Sequence, residues 1–190
     1  MSDMFSGCES LTSLDVSNFN TANVTNMNRM FISCKALKSL NVSNFNTAKV
    51  KYMNSMFSSC SALTSLNVSN FNTGNVTGMN CMFGRCSSLK SLDVTKFNTA
   101  NVTNMMFMFN GCSSLTSIDV TNFNTAKVTA MSAMFSDCSA LTTIFCNDDW
   151  KSDVVQNSPN MFMNCTKLKG AVSYDANRTD VTMANPTTGY

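Results

Sequence analysis

Apolar and polar positions alternate on two different rhythms within each 26-residue stretch of the chain. In "LKSLNVS", Leu40 and Val42 stand two apart, with Ser39, Asn41 and Ser43 between them. That spacing predicts a short strand with one face inward. Turn formers follow in "NFNTA". Then Val24, Met27, Phe31 and Cys34 fall at spacings of 3, 4 and 3. This predicts one face of a short helix, with Thr21 or Asn23 capping its start.

The same sentence is then repeated. Met-Phe pairs stand at Met4, Met30, Met56, Met82, Met108 and Met134, each 26 residues after the last, and at Met161 after 27. Cysteine keeps the same interval at Cys8, Cys34, Cys60, Cys86, Cys112, Cys138 and Cys165, and leucine keeps it from Leu11 to Leu168. One such unit cannot bury its apolar side alone. Stacked units bury it against one another, so each core position becomes a column. Phe19, Phe45, Phe71, Phe97 and Phe123 form a column expected to fill the corner between strand and helix. Asn20, Asn46, Asn72, Asn98 and Asn124 form another, in a turn whose backbone groups need side-chain partners. Asn18, Asn44, Asn70 and Asn122 form a third, which Lys96 interrupts, so it is expected to be more exposed.

The expected architecture is α/β: a leucine-rich-repeat solenoid with one short parallel strand and one short helix per 26-residue turn, about six to seven turns in all. Residues 1–144 read as the solenoid. From Phe145 the interval falters, the "NFNT" turn is lost, and Trp150 and Pro159 enter. Residues 145–190 read as a degenerate final repeat and C-terminal cap covering the last open core face. Entry into the repeat at Met4 and the stop at Tyr190 are what a fragment would give.

Composition narrows the function. Of the 190 residues 44% are hydrophobic and only 13% charged, so Ser, Thr and Asn carry the solubility. The net charge is +2 and the basic residues are scattered, which argues against a nucleic-acid footprint or a polybasic membrane patch. No run of about 18 apolar residues spans a membrane, and "MSDMFSGCES" is not a signal peptide. There is no histidine. That removes Ser-His-Asp and Cys-His nucleophiles and most catalytic zinc sites, so an enzyme is not expected.

The columns "MFxxCxxLxSLDVSxFNTxxVTxM", running over about residues 4–168, closely resemble the repeats of BspA-like leucine-rich-repeat surface proteins, also described as mycoplasma-lipoprotein-type repeats. The resemblance implies a curved, non-enzymatic solenoid at the cell surface or secreted, displayed by bacteria and some protozoa, with several members acting in adhesion. It implies a host or matrix protein, or a glycan, as partner. The motif residues are framework residues, so the resemblance transfers the fold far better than a ligand.

Binding is expected on the outward strand positions, which a solenoid places on its concave face. These are Ser13, Asp15, Ser39, Asn41, Ser65, Asn67, Ser91, Asp93, Ser117, Asp119 and Phe145. A solvated face of compatible small side chains accounts for them equally well, and a spacer or stalk is the competing function. No cofactor and no metal are expected: the chain has no CxxC cluster, and Met27, Met30 and their repeats sit at core spacing. The cysteine ladder reads as buried thiols. Cys81 lies off it, at the position of Arg29, Ser55, Phe107 and Ala133, where an exposed thiol is expected. Self-association through the uncapped N-terminal end is also expected.

Overall fold

A computed structural model describes residues 1–147, 155–185 and 189–190. The chain winds into stacked coils. Strands β1 (Ser39–Leu40), β2 (Ser65–Leu66), β3 (Ser117–Asp119) and β4 (Thr143–Phe145) are all parallel to their neighbours. Ser39 pairs with Ser65, and Asp119 with Phe145, so equivalent residues lie side by side. The strand is not formed in every coil: Ser13–Leu14 and Ser91–Leu92 carry no strand, and the ladder falls into two short sheets on either side of Ser91. A second line of parallel bridges joins Asn26, Tyr52, Gly78, Asn104, Ala130 and Asn157.

The expected helix does not form. Among the described residues the helical element is one 3₁₀ turn, η1 (Val181–Met183), capped by Asp180. Where the helix was expected, successive amides alternate in direction. Those of Met27, Arg29, Phe31 and Ser33 donate to Tyr52, Asn54, Met56 and Ser58 of the next coil at 2.7–2.9 Å. Those of Met30, Ile32 and Cys34 donate three residues back, at 3.2–3.3 Å. Residues in the left-handed region recur on both sides of each turn: Arg29 (φ 56°) and Ser33 (59°), Ser55 (55°) and Ser59 (61°), Cys81 (56°) and Arg85 (60°). A left-handed residue four positions after another keeps Met27, Phe31 and Cys34 inward, and so imitates helical spacing.

The spacing of the coils explains the choice. Phe5, Phe31, Phe57, Phe83, Phe109, Phe135 and Phe162 stack ring on ring, with centroids 5.4–5.8 Å apart. Packed helices need about 8–10 Å between axes. Turns bonded coil to coil keep this flank at nearly the spacing of the strands, about 4.8 Å.

The core is the set of columns. In one coil Leu40, Val42, Phe45, Val50, Met53, Met56, Phe57, Cys60 and Leu63 are all buried, and their equivalents stack above and below. Phe45 and its column fill the corner after the strand, against Phe31 at 6.4 Å. Buried polar atoms are satisfied between coils. Thr21 does not cap a helix: its Oγ1 donates to the Asn46 carbonyl (3.1 Å) and accepts from the Asn46 amide (2.7 Å). Thr47, Thr73 and Thr99 repeat the arrangement. Past the last strand, Met161, Phe162, Cys165 and Leu168 continue the columns. Val181, Met183 and Tyr190 lie against them, with the Tyr190 ring edge-on to Phe162 at 5.6 Å.

Candidate functional site

The outward strand positions do form a surface. Ser39, Asn41, Ser65, Asn67, Ser91 and Asp93 line one shallow depression of about 470 Å³, floored by Leu40 and Leu66. Ser91, Asp93, Ser117, Asp119 and Phe145 line a second of about 320 Å³. The two share Ser91 and Asp93, so they run on into each other along the stack. Phe145 is 53% exposed and closes the far end with an apolar edge. Ser13 and Asp15 are exposed but lie outside both depressions. Trp150 falls outside the described residues.

The acidic and amide side chains of this face already have a structural task. Each accepts a hydrogen bond from the amide two residues on: Ser17 to Asp15 (2.8 Å), Ser43 to Asn41 and Ser69 to Asn67 (3.0 Å each), Thr95 to Asp93 (3.0 Å), Thr121 to Asp119 (2.9 Å). The hydroxyls of Thr95 and Thr121 add short bonds of 2.6 and 2.7 Å to the same Oδ1 atoms. The backbone bond from Ser17 holds Asp15 below the usual carboxylate range, and the Thr95 hydroxyl does so first for Asp93. The Oδ1 of each side chain thus shapes the turn.

The asparagine columns bond backbone groups as read from the sequence, but both are exposed, so exposure does not set apart the column that Lys96 interrupts. Asn20 and its repeats accept from the amide two residues on, Asn20 from Ala22 at 3.1 Å. The Nδ2 of Asn44 donates to the Val16 and Ser17 carbonyls of the preceding coil at 2.9 and 3.0 Å. Asn70 does the same toward Ser43, and the column is exposed.

The ladder thiols form no disulfide among themselves and are buried from Cys34 to Cys165. Each thiol donates to the phenylalanine carbonyl of the preceding coil: Cys60 to Phe31 at 3.1 Å, Cys86 to Phe57 and Cys112 to Phe83 at 3.2 Å, Cys138 to Phe109 at 3.1 Å. Burial pushes Cys34 up to about 11 and Cys60 and Cys112 up to about 12. Cys81 is half-buried in a left-handed turn beside Arg85 and the exposed ring of Phe107. Among the described residues no group of three or more His, Cys, Asp or Glu side chains converges as metal ligands would.

Sequence reasoning missed two features. One is the threonine rung, whose signal was an unbroken column Thr21, Thr47, Thr73, Thr99, Thr125 beside apolar columns. The other is the left-handed column, which holds Gly7, Ser33, Ser59, Arg85, Gly111, Asp137 and Asn164 at a position where a helix would have to continue.

A family model described as "Mycoplasma protein of unknown function, DUF285" matches residues 1–92 and again residues 87–186. Among solved structures, a leucine-rich-repeat protein of T. pallidum aligns at a TM-score of 0.57 and 19% identity, over 87% of this chain and 68% of that one. A leucine-rich cell-surface protein of Faecalibacterium prausnitzii aligns at 0.36 and 19%, over 77% of this chain and 36% of its own. A leucine-rich-repeat protein of Bacteroides ovatus aligns at 0.25 and 17%, over 90% of this chain and 63% of its own. No curated protein matches the chain. The treponemal alignment shows the repeat-solenoid fold. No helix among the described residues is long and apolar enough to cross a membrane.

Proposed function

The chain belongs to the Mycoplasma family DUF285, and from that premise we propose that it is a non-enzymatic protein-binding scaffold, working at the cell surface or secreted, whose strand face takes the partner. The observation that carries this reading is the pair of adjoining depressions, in which Ser, Asx and Leu or Ile recur coil by coil up to Phe145. A rigid row of small polar groups over an apolar floor offers an extended partner repeated hydrogen bonds at β spacing. Adhesion to a host or matrix protein, or to a glycan, is the specific form proposed. Residues 145–190 serve as the final repeat and cap: the Phe162 amide donates to Thr179 and the Asn164 amide to the Tyr174 hydroxyl, so donors that lack a next coil are paired.

Replacing Ser91 and Ser117 by Arg fills both depressions and leaves the Asx turns intact. The double variant should keep its circular dichroism spectrum and lose, by about tenfold or more, the partner captured from host-cell or matrix extract. Equal capture by both proteins contradicts a strand-face site. One observation favours a spacer instead: the Asx oxygens of this face are committed to turns. Under that reading the wild-type chain captures nothing.

End-to-end association is proposed at the other end. Phe5, Leu14, Phe19 and Val24 are half-buried there, whereas Phe31, Leu40, Phe45 and Val50 are fully covered in the next coil. Sedimentation showing a monomer at high concentration would count against it.

A further inference from the structure

At the C-terminal end of the stack lies a separate depression of about 760 Å³ with a different chemistry. The Lys169 amide donates to the Thr142 carbonyl at 3.0 Å, which ties the segment to the last strand's coil. Lys169 then faces Ser173 across an antiparallel bridge. The bend between them needs Gly170, because a Cβ there would collide with the backbone of Gly189 and Tyr190. The fold therefore holds Lys167, Lys169, Thr166 and Ser173 around one hollow, with all four side chains exposed. Tyr174 supplies the wall. It stacks on Tyr190 at 5.6 Å, and its hydroxyl accepts the Asn164 amide at 3.0 Å, leaving its own proton to donate. Burial raises the Tyr174 phenol above its ordinary value, so that proton stays in place near neutrality.

Among the described residues neither Lys167 nor Lys169 is held in an ion pair, and the negative groups beside the hollow are the backbone end of Tyr190, against Gly170, and Asp175, next to Tyr174. The ion pairs among the described residues are Arg29–Asp3 and Lys35–Glu9, both at the other end of the chain. The nearest acid along the chain, Asp175, accepts from the amide and side chain of Asn177.

We propose that this depression binds an anionic saccharide, with the ammonium groups of Lys167 and Lys169 on its carboxylate or sulfate and the hydroxyls of Thr166, Ser173 and Tyr174 on its sugar hydroxyls. The hollow is far larger than a bare ion, and its walls carry hydroxyls on either side of the charge, which suits an oxyanion attached to a pyranose. The site is distinct from the strand-face depressions and does not rest on the function proposed for them.

The test is calorimetric titration of the full chain at low ionic strength with glucuronic acid and with N-acetylglucosamine 6-sulfate. Unsubstituted N-acetylglucosamine and inorganic sulfate serve as comparisons. Saturable binding of at least one acidic sugar is expected, and which one binds tells carboxylate from sulfate. That binding should weaken about tenfold or more in Lys167→Gln/Lys169→Gln and stay unchanged in Lys49→Gln/Lys51→Gln, with the neutral sugar about tenfold weaker. Amide shifts at Ser173 and Tyr174 on titrating the wild-type chain should locate the site without any substitution. Three results overturn the proposal: no binding of either acidic sugar, equal binding by the Lys167/Lys169 variant, or inorganic sulfate binding as tightly as the sulfated sugar.

Discussion

At the scale of the residue, cysteine recurs because one position per coil asks for a small apolar side chain that also carries a proton. An alanine there would leave the carbonyls of Phe31 or Phe57 without the donor that the Cys60 or Cys86 thiol supplies. The protonation states follow from the burial. Burial pushes Cys34 up to about 11 and Cys60 and Cys112 up to about 12 in the folded chain, while an unfolded thiol ionises at about 9. Above that value the unfolded state binds fewer protons than the folded one, so stability falls as pH rises. The urea midpoint should be flat up to about pH 8.5 and drop steadily between about 9 and 12. A midpoint unchanged across that window would contradict the buried ladder. A second residue-scale prediction concerns the left-handed column. Ser59 sits at φ 61°. Ser59→Val should cost about 1–2 kcal/mol in chemical denaturation, and Ser59→Gly should lie within about 1 kcal/mol of the wild type.

At the scale of the element, strand and turn differ in how far the sequence announced them. The inward strand positions were legible because a period of two admits one reading: Leu40 and Val42 go in, Ser39 and Asn41 go out. The outward columns that line the two depressions followed directly. The turn flank was misread, since left-handed residues four apart imitate the 3, 4, 3 spacing of a helix. Arg29, Ser55, Cys81 and Phe107 hold left-handed positions without announcing them as glycine would. The double use of the Asx side chains was hidden for another reason: the bond from Thr95 to Asp93 exists only once the backbone bends. The threonine rung was hidden because a polar residue after Asn-Phe-Asn reads as loop. Its test is Thr73→Val, which keeps the shape but removes the donor to the Asn98 carbonyl and the acceptor for its amide. A loss of about 2–3 kcal/mol is expected, against less than about 1 for Thr73→Ser. Equal losses would mean that packing alone holds the rung.

At the scale of the whole molecule, the flanks agree with each other. Strand bridges and phenylalanine stacks join residue i to its equivalent one coil on, and turn amides, threonine rungs and thiol rungs join neighbouring coils at the same offsets in each repeat. Stability is then close to a sum of coil interfaces, and the outward columns stay in register however many coils intervene. That register is what the proposed strand-face function needs. It is measured most directly by dipolar electron paramagnetic resonance between nitroxides on one outward column. Cysteine at Thr12 would be paired in turn with cysteine at Thr64, Lys90 and Thr116, with Cys8, Cys81 and Cys146 replaced by serine. Separations rising in order by about 5 Å per coil, to about 10, 15 and 20 Å, are expected. Separations that fail to rise in that order, or that grow by about 10 Å per coil as packed helices would require, would contradict the stack.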